Sequence, residues 1–329
     1  MKVLVTGANG FLGRHVVAAL RESGHTVRAL VRGAAPEGVE VFKADLCGSD
    51  DLRGAFEGID AVMHLAAQLS GNDDERIRAA VTGTQRLLDA MAATPTRRLI
   101  LASSFAVYDW SRVNGTLTED SPLETEAGAR QRDGYAVAKL QQEQLTRRSA
   151  EQHRWDLTVI RPGAIWGAGR MELHDLGQRV GPLRVVIAPC ARLRLTYVEN
   201  CAEAFVRALE SPQSIGKTIN LVDGGEPVTS WRFAGKLSGL RIPLPYWVGN
   251  TFATVAGGID SAVFRHRLPL PGILRRRSYR ARFKSVDYPN DAARRLLSWQ
   301  PRYSFDEAFE RATRREALRS EICDLRSEI

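Results

Sequence analysis

Cysteine is sparse in this chain and widely scattered. Cys47, Cys190, Cys201 and Cys323 form no Cys-x-x-Cys pair and have no histidine cluster beside them. That spacing argues against a disulfide framework and against a zinc site. No metal is expected, and a reducing cytoplasm suits the thiols. Apolar runs long enough to cross a bilayer are missing. An apolar strand begins at Lys2, so no cleaved leader is expected. Lysine is rare, six of the 46 basic residues, and one stretch, 265–284, carries eight Lys and Arg with no acid. The net charge of +8 raises nucleic acid as a partner. Neither an aromatic stacking platform nor a DNA-binding motif accompanies the basic stretch, so nucleic-acid binding is not expected.

What is present is ordinary in amount and ordered in pattern. With 329 residues, 44% of them hydrophobic, the chain can bury a large core as one large domain or two unequal ones. Its first half alternates short apolar runs with amphipathic segments, the sign of βαβ units and a parallel sheet. Strands are expected at 3–5, 27–31, 39–42, 61–65, 99–102 and 157–160, and helices at 12–22, 50–56, 74–92 and 135–152. A polar loop rich in Thr, Glu, Asp and Pro covers 110–133 and is long enough to be functional. The fold class is therefore α/β, a doubly wound parallel sheet of Rossmann type with a smaller α/β substrate-binding part. The boundaries expected are 1–165 for the dinucleotide-binding part, with about 196–222 returning to it, and 166–329 for the remainder. Closing helices are expected at 291–297 and 306–319.

Between the first strand and the first helix lies Thr6-Gly7-Ala8-Asn9-Gly10-Phe11-Leu12-Gly13. Gly7 permits a tight turn, Gly10 lets the backbone approach a pyrophosphate, and Gly13 lets helix and strand pack closely. The helix N-terminus adds N–H donors and partial positive charge. The turn, with Asn9, Phe11 and Leu12 at its lip, is thus a candidate dinucleotide site. An acid ending the second strand would take a ribose 2′-hydroxyl, and an arginine a 2′-phosphate. Here the strand ends Leu30-Val31-Arg32-Gly33. The expected cofactor is NADP in preference to NAD, with Arg32 as its contact. Asp45 and Leu46, after the third strand, are placed to meet the adenine. Leu65, Ala66 and Ala67, after the fourth, would line the cofactor, while His64 reads as a packed strand-end residue.

Tyr135-Ala136-Val137-Ala138-Lys139 puts a phenol and an ammonium on one helix face. A free phenol, with a pKa of about 10, exchanges protons poorly at neutral pH. A neighbouring ammonium favours the phenolate and so equips Tyr135 as a general acid/base. Alone, this spacing describes a solvated helix pair equally well, and its surroundings decide.

Assembled, these segments resemble the extended short-chain dehydrogenases/reductases of the NAD-dependent epimerase/dehydratase superfamily. The resemblance rests on Thr6 to Gly13, Asp45-Leu46, His64 to Ala67, Ser103-Ser104 with Val107-Tyr108, Tyr135 to Lys139, and Arg161-Pro162, in family order over about half the chain. It implies that Ser104 orients the substrate oxygen, with Ser103 as the fallback. Tyr135 would be the acid/base, and Lys139 would tune it while holding the nicotinamide ribose. Pro162, Gly163 and Ile165 would lie against the cofactor. Two positions depart from the family pattern: Ala80 stands where asparagine is frequent, and Asp109 follows Tyr108 where glycine is usual. Ala164 likewise replaces the asparagine of many sugar-nucleotide enzymes. The segments at Arg161 to Gly167, Tyr197 to Asn200 and Asn220 to Phe233 are similar to the 3β-hydroxysteroid dehydrogenase and sterol-4α-carboxylate 3-dehydrogenase group.

The resemblance implies an NAD(P)-dependent oxidoreductase acting on a secondary alcohol or ketone of an apolar, alicyclic or steroid-like small molecule. An NDP-sugar epimerase or dehydratase using the same three residues is the alternative, and a non-catalytic cofactor-sensing regulator a further one. Relatives suggest a homodimer. Val248, Phe252, Val255, Ile259 and Val263 recur at helical spacing. They read as a core-facing helix, or, with the neighbouring basic residues, as a peripheral membrane contact through 246–284.

Overall fold

The computed structural model describes residues 1–67, 71–260 and 272–327. Seven parallel strands form one sheet: β1 (Lys2–Thr6), β2 (Thr26–Val31), β3 (Glu40–Lys43), β4 (Ala61–His64), β5 (Arg98–Ala102), β6 (Asp156–Pro162) and, further along, β11 (Thr218–Leu221). Their order is β11-β6-β5-β4-β1-β2-β3. The order in which strands are added reverses between β1 and β4, which pair in parallel from Val3↔Ala61 to Thr6↔His64. Open α/β sheets bind ligands outside the carboxyl ends of the strands at such a switch point. Apolar side chains on both faces explain the continuous hydrophobic runs. Val3, Leu4 and Val5 are fully buried, each worth about 1.5–3 kcal/mol relative to exposure.

Helices α1 (Phe11–Glu22) and α5 (Val198–Glu210) cover one face, bringing Val16, Val17 and Leu20 against Cys201 and Phe205. Helices α2 (Asp73–Ala92) and α4 (Gly134–His153) cover the other. A capping box of Asn72 and Glu75 starts α2, and the Asp133 carboxylate accepts the Ala136 N–H at 2.8 Å to start α4. The expected helix at 50–56 shrinks to one 3-10 turn, Arg53–Phe56. Asp50 instead accepts the Asp45 N–H and Asp51 the Arg53 N–H, local bonds that compete with helix formation. Within the loop at 110–133 lies a short helix, α3 (Glu126–Arg130).

Past Pro162 the elements are shorter. β7 (Ala164–Trp166) pairs in parallel with β10 (Leu195–Tyr197). Strands β8 (Gly177–Val180), β9 (Leu183–Ile187) and β12 (Leu240–Leu244) form a small mixed sheet. Trp166, Tyr197, Phe233, Phe305 and Phe309 form an aromatic cluster that joins β7, β10, α6 (Ser230–Gly235) and α10 (Phe305–Ser327). Asn200 clamps the chain before α10, donating to the Tyr303 carbonyl and accepting its N–H. Helix α7 (Tyr246–Ile259) precedes α8 (Arg276–Phe283) and α9 (Asp291–Leu297).

The α7 stripe does not face the core. Phe252 and Val255 are 65% and 55% exposed and Trp247 70%, while Ala253 packs inward toward Tyr279 and Phe283. Periodicity identifies residues that share a stripe, whereas the small side chain on the opposite side sets which side can approach α8. Val263 and Arg265 lie outside the described residues. No helix among the described residues is long and apolar enough to cross a membrane.

Candidate active site

The glycine turn forms as its residue types dictate. Gly7 has φ +72, and a Cβ there would meet Ala66 Cα at 2.8 Å. A Cβ on Gly13 would lie 2.0 Å from the Gly7 carbonyl oxygen, so only glycine lets α1 start so close to β1. Asn9 donates its amide to the Ala34 carbonyl at 2.5 Å, joining the turn to the loop after β2. Helix α1 begins at Gly10 with no side-chain cap and no acid in its first turn. Its first N–H groups are thereby left for an external anion, and the residues present fit a dinucleotide phosphate. Phe11 and Leu12 pack against the same buried cluster as Ile165 of β7. Leu65, Ala66 and Ala67 follow β4, with the Leu65–Ala66 backbone against Gly7 of the turn. Arg32 is exposed at the end of β2. Asp45 accepts the Cys47 N–H at 2.9 Å, and Leu46 packs onto the second face of the sheet. Pro162 ends β6, and Gly163 donates to the Leu221 carbonyl at 2.9 Å.

At the carboxyl end of β5 the two serines part ways. Ser103 is buried and donates to Glu143 Oε2 at 2.5 Å. Ser104 is partly exposed, and its hydroxyl accepts the Ala106 N–H at 3.1 Å and favours the Tyr135 phenolate. Burial pushes the Tyr135 pKa up, with Asp133 adding to it; the Ser104 hydroxyl and the positive charge of Arg170 oppose that rise. The sequence expectation that Lys139 lowers this pKa is not met: it is raised, and the positive charge opposing the rise is that of Arg170, which no local motif marks.

Lys139 is buried one helical turn beyond Tyr135. Its ammonium donates to the Ala102 carbonyl at 2.7 Å and to Gln142 Oε1 at 2.9 Å. Burial lowers its pKa to about 8, although Glu143 works in the opposite direction. Gln142 extends the contact inward through its Nε2, 3.0 Å from both Thr84 Oγ1 and His64 Nε2. Thr6 Oγ1 lies 2.7 Å from His64 Nδ1. Burial, together with the charge of Lys139, takes the His64 pKa down to about 3, so this histidine is a neutral packed residue. Ala80 offers no polar group, and the second acceptor for Lys139 comes from Gln142.

Arg161 also holds structure together. It forms a buried ion pair with Glu143 at 2.5 Å and donates to the Tyr108 hydroxyl at 2.8 Å. Tyr108 in turn donates to Asn220 on β11 at 2.6 Å. The Asp223 carboxylate accepts from the Tyr197 N–H and from Asn200, and burial raises its pKa to about 7. These contacts give the segments after Pro162 an architectural reason for their residue types.

The match to known proteins follows the same architecture. Residues 3–221 match the NAD dependent epimerase/dehydratase family. This chain belongs to that family. Its members here are extended short-chain dehydrogenases/reductases, and the protein is an NAD(P)-dependent enzyme of that class. It is 27% identical to the mouse (Mus musculus) sterol-4-alpha-carboxylate 3-dehydrogenase, decarboxylating, over 94% of this chain and 89% of that protein. It is 32% identical to a 2-alkyl-3-oxoalkanoate reductase of Stenotrophomonas maltophilia (strain K279a), over 69% of this chain and 72% of that one. Among solved structures, a short-chain dehydrogenase/reductase superfamily protein from Agrobacterium tumefaciens with bound NAD superposes at a TM-score of 0.70. It is 24% identical and covers 98% of this chain and 99% of its own. That likeness speaks to the fold.

Proposed function

We propose that the protein transfers hydride between a nicotinamide dinucleotide and a secondary alcohol or ketone of an apolar, alicyclic or steroid-like substrate. The observation that carries this reading is the buried Lys139, anchored on the Ala102 carbonyl at the end of β5 at 2.7 Å, with Ser104 following the same strand and Tyr135 one turn earlier on α4. When bound, the nicotinamide supplies the hydride acceptor or donor. In the oxidative direction Tyr135 takes the hydroxyl proton as the carbon gives up its hydrogen with the bonding pair, and the C–O single bond becomes a carbonyl. Ser104 donates a hydrogen bond to the developing carbonyl oxygen. Lys139, with Ala102 and Gln142 fixing its ammonium, holds the nicotinamide ribose and keeps positive charge near the phenol. The sterol-carboxylate and oxoalkanoate names of the two relatives support an apolar substrate with oxygen on a secondary carbon.

Tyr135→Phe is the test. It is expected to lower kcat/KM by about 100- to 10,000-fold on a panel of cyclic and acyclic secondary alcohols while leaving dinucleotide binding intact. Full turnover by that variant rejects the mechanism.

NADP is the preferred cofactor in this reading, because Arg32 stands exposed where a 2′-phosphate would lie and no acid ends β2. Arg32→Asp is expected to reverse the ratio of kcat/KM values for the two dinucleotides, and a wild-type preference for NAD would reject the assignment. The protein acts as a homodimer in the reducing cytoplasm, where Cys47, Cys190 and Cys201 stay free thiols. A monomer mass by light scattering would dismiss the dimer.

A further inference from the structure

The substrate-orienting hydroxyl and the proposed acid/base come from different elements. Ser104 opens the 3-10 turn Phe105–Val107 after β5, whereas Tyr135 lies in the first turn of α4. Among the described residues no backbone hydrogen bond joins the two segments. Arg132 joins them. Its side chain is 6% exposed and donates through Nη1 to the Ala106 carbonyl at 2.8 Å and the Tyr108 carbonyl at 3.1 Å. Ala106 also gives its N–H to the Ser104 hydroxyl at 3.1 Å. That bond occupies a lone pair of the Ser104 oxygen and leaves its hydrogen free to donate outward. On the helix side, Arg132 immediately precedes Asp133, whose carboxylate caps α4. The Arg132 backbone is held twice, its N–H donating to the Ala129 carbonyl and its carbonyl accepting the Ser278 hydroxyl of α8, both at 2.9 Å.

We infer that Arg132 is a positioning residue that holds the Ser104 hydroxyl in place relative to Tyr135 and acts on turnover through Ser104. The inference rests on the hydride-transfer reading and adds a residue to it. Among the described residues no carboxylate pairs with this guanidinium, and its buried Nε has no partner at all. Burying a cation on such terms opposes folding, so an apolar side chain would serve a purely architectural site better. What the cation does supply is a shared donor for the two carbonyls of the turn behind Ser104. Without it both carbonyls lose that donor, and the turn can carry the hydroxyl away from the substrate oxygen. Displacements of about 1 Å at a reacting centre cost about 100-fold in rate. The glycine turn and Lys139 make no contact with Arg132, so dinucleotide binding stays outside its reach.

Arg132→Met and Arg132→Lys are made in the wild type and in Ser104→Ala, and kcat, KM and the dinucleotide Kd are measured with the fastest substrate of the secondary-alcohol panel. Arg132→Met is expected to lower kcat by about 10- to 100-fold, with KM and the dinucleotide Kd within about twofold of the wild type. Arg132→Lys keeps the charge but not the fork of donors, and its kcat should fall between the two. In the Ser104→Ala background either substitution is expected to cost less than about threefold, because the hydroxyl that Arg132 holds is gone. Wild-type kcat in both variants overturns the inference. An equal loss with and without Ser104 also overturns it and makes Arg132 a general brace of the fold, as does a loss carried by the dinucleotide Kd. If Arg132→Met fails to fold, the Arg132→Lys pair decides by the same criterion. These outcomes leave the Tyr135 mechanism standing; if the wild type oxidises no alcohol of the panel, the hydride-transfer reading falls and takes the inference with it.

Discussion

Replacing Glu143 by alanine removes the partner of a buried arginine. The Glu143 carboxylate accepts from Arg161 Nε at 3.1 Å and Nη2 at 2.5 Å, from Ser103 at 2.5 Å and from Arg147 at 2.9 Å. Arg147 is half-exposed and forfeits little. Arg161 is left buried with only the Tyr108 hydroxyl and the Glu119 carbonyl, and a stranded charge of this kind costs about 3–5 kcal/mol. At about 2.1 cal/mol/K per residue, a chain of 329 residues unfolds with roughly 0.7 kcal/mol/K of entropy. The expected fall in Tm is then about 4–7 °C by differential scanning fluorimetry. Adding Arg161→Met removes the stranded charge, and most of the loss should return. The pH dependence carries its own sign. Burial alone would raise the Glu143 pKa, but the hydrogen bond and charge of Arg161, with Arg147 and Ser103, hold it below the ordinary value. Its contribution is therefore present above the unfolded carboxylate pKa and is lost as pH falls through the lower folded value, a loss missing from Glu143→Ala. A Tm drop under about 1 °C, or a double variant no better than the single, refutes this account.

Two further outcomes are expected. Activity that needs the Lys139 ammonium declines as pH rises through about 8. Gln142→Leu deletes an acceptor that favours the charged form and moves this alkaline limb down, whereas Gln142→Glu moves it up; pH profiles of kcat/KM in which neither limb moves would show that Gln142 has no hold on Lys139. The exposed Trp247, Phe252 and Val255 of an uncharged α7, next to the arginine-bearing α8, are expected to draw the protein onto anionic vesicles in a salt-sensitive way, and co-sedimentation should disappear in Trp247→Ser/Phe252→Ser. Failure to pellet at low salt counts against a membrane contact.

The features legible in the sequence were those whose chemistry is local. A glycine turn between strand and helix, and a tyrosine and lysine four apart, carry their geometry within a few residues. The sheet was legible because fully buried strands read as apolar runs. The Glu143–Arg161 pair and the Gln142–His64–Thr84 cluster were not, because their partners come from different strands and helices and meet only after the sheet assembles. Glu143 does lie four residues after Lys139, and continuing the helical spacing of Tyr135 and Lys139 would have found it. Arg170 had no signal at all: an arginine after a glycine-rich turn looks like surface. The small sheet of β8, β9 and β12 was missed because β12 contains Pro243 and pairs with a strand far back in the chain. The exposure of Phe252 was missed because a stripe has no inside until its neighbour is known.

The turn that carries Arg170 is tied to the far end of the chain, since the Gly169 N–H donates to Glu316 on α10 at 2.8 Å. That helix is rooted elsewhere, through Phe305 and Phe309 in the aromatic cluster and through the Asn200 clamp just before it. Helix α10 therefore braces that loop from a fixed base. Glu316→Gln would weaken that tie while leaving the Phe305 and Phe309 packing in place, so the rigidity of the turn after β7 is set by a residue 147 positions away.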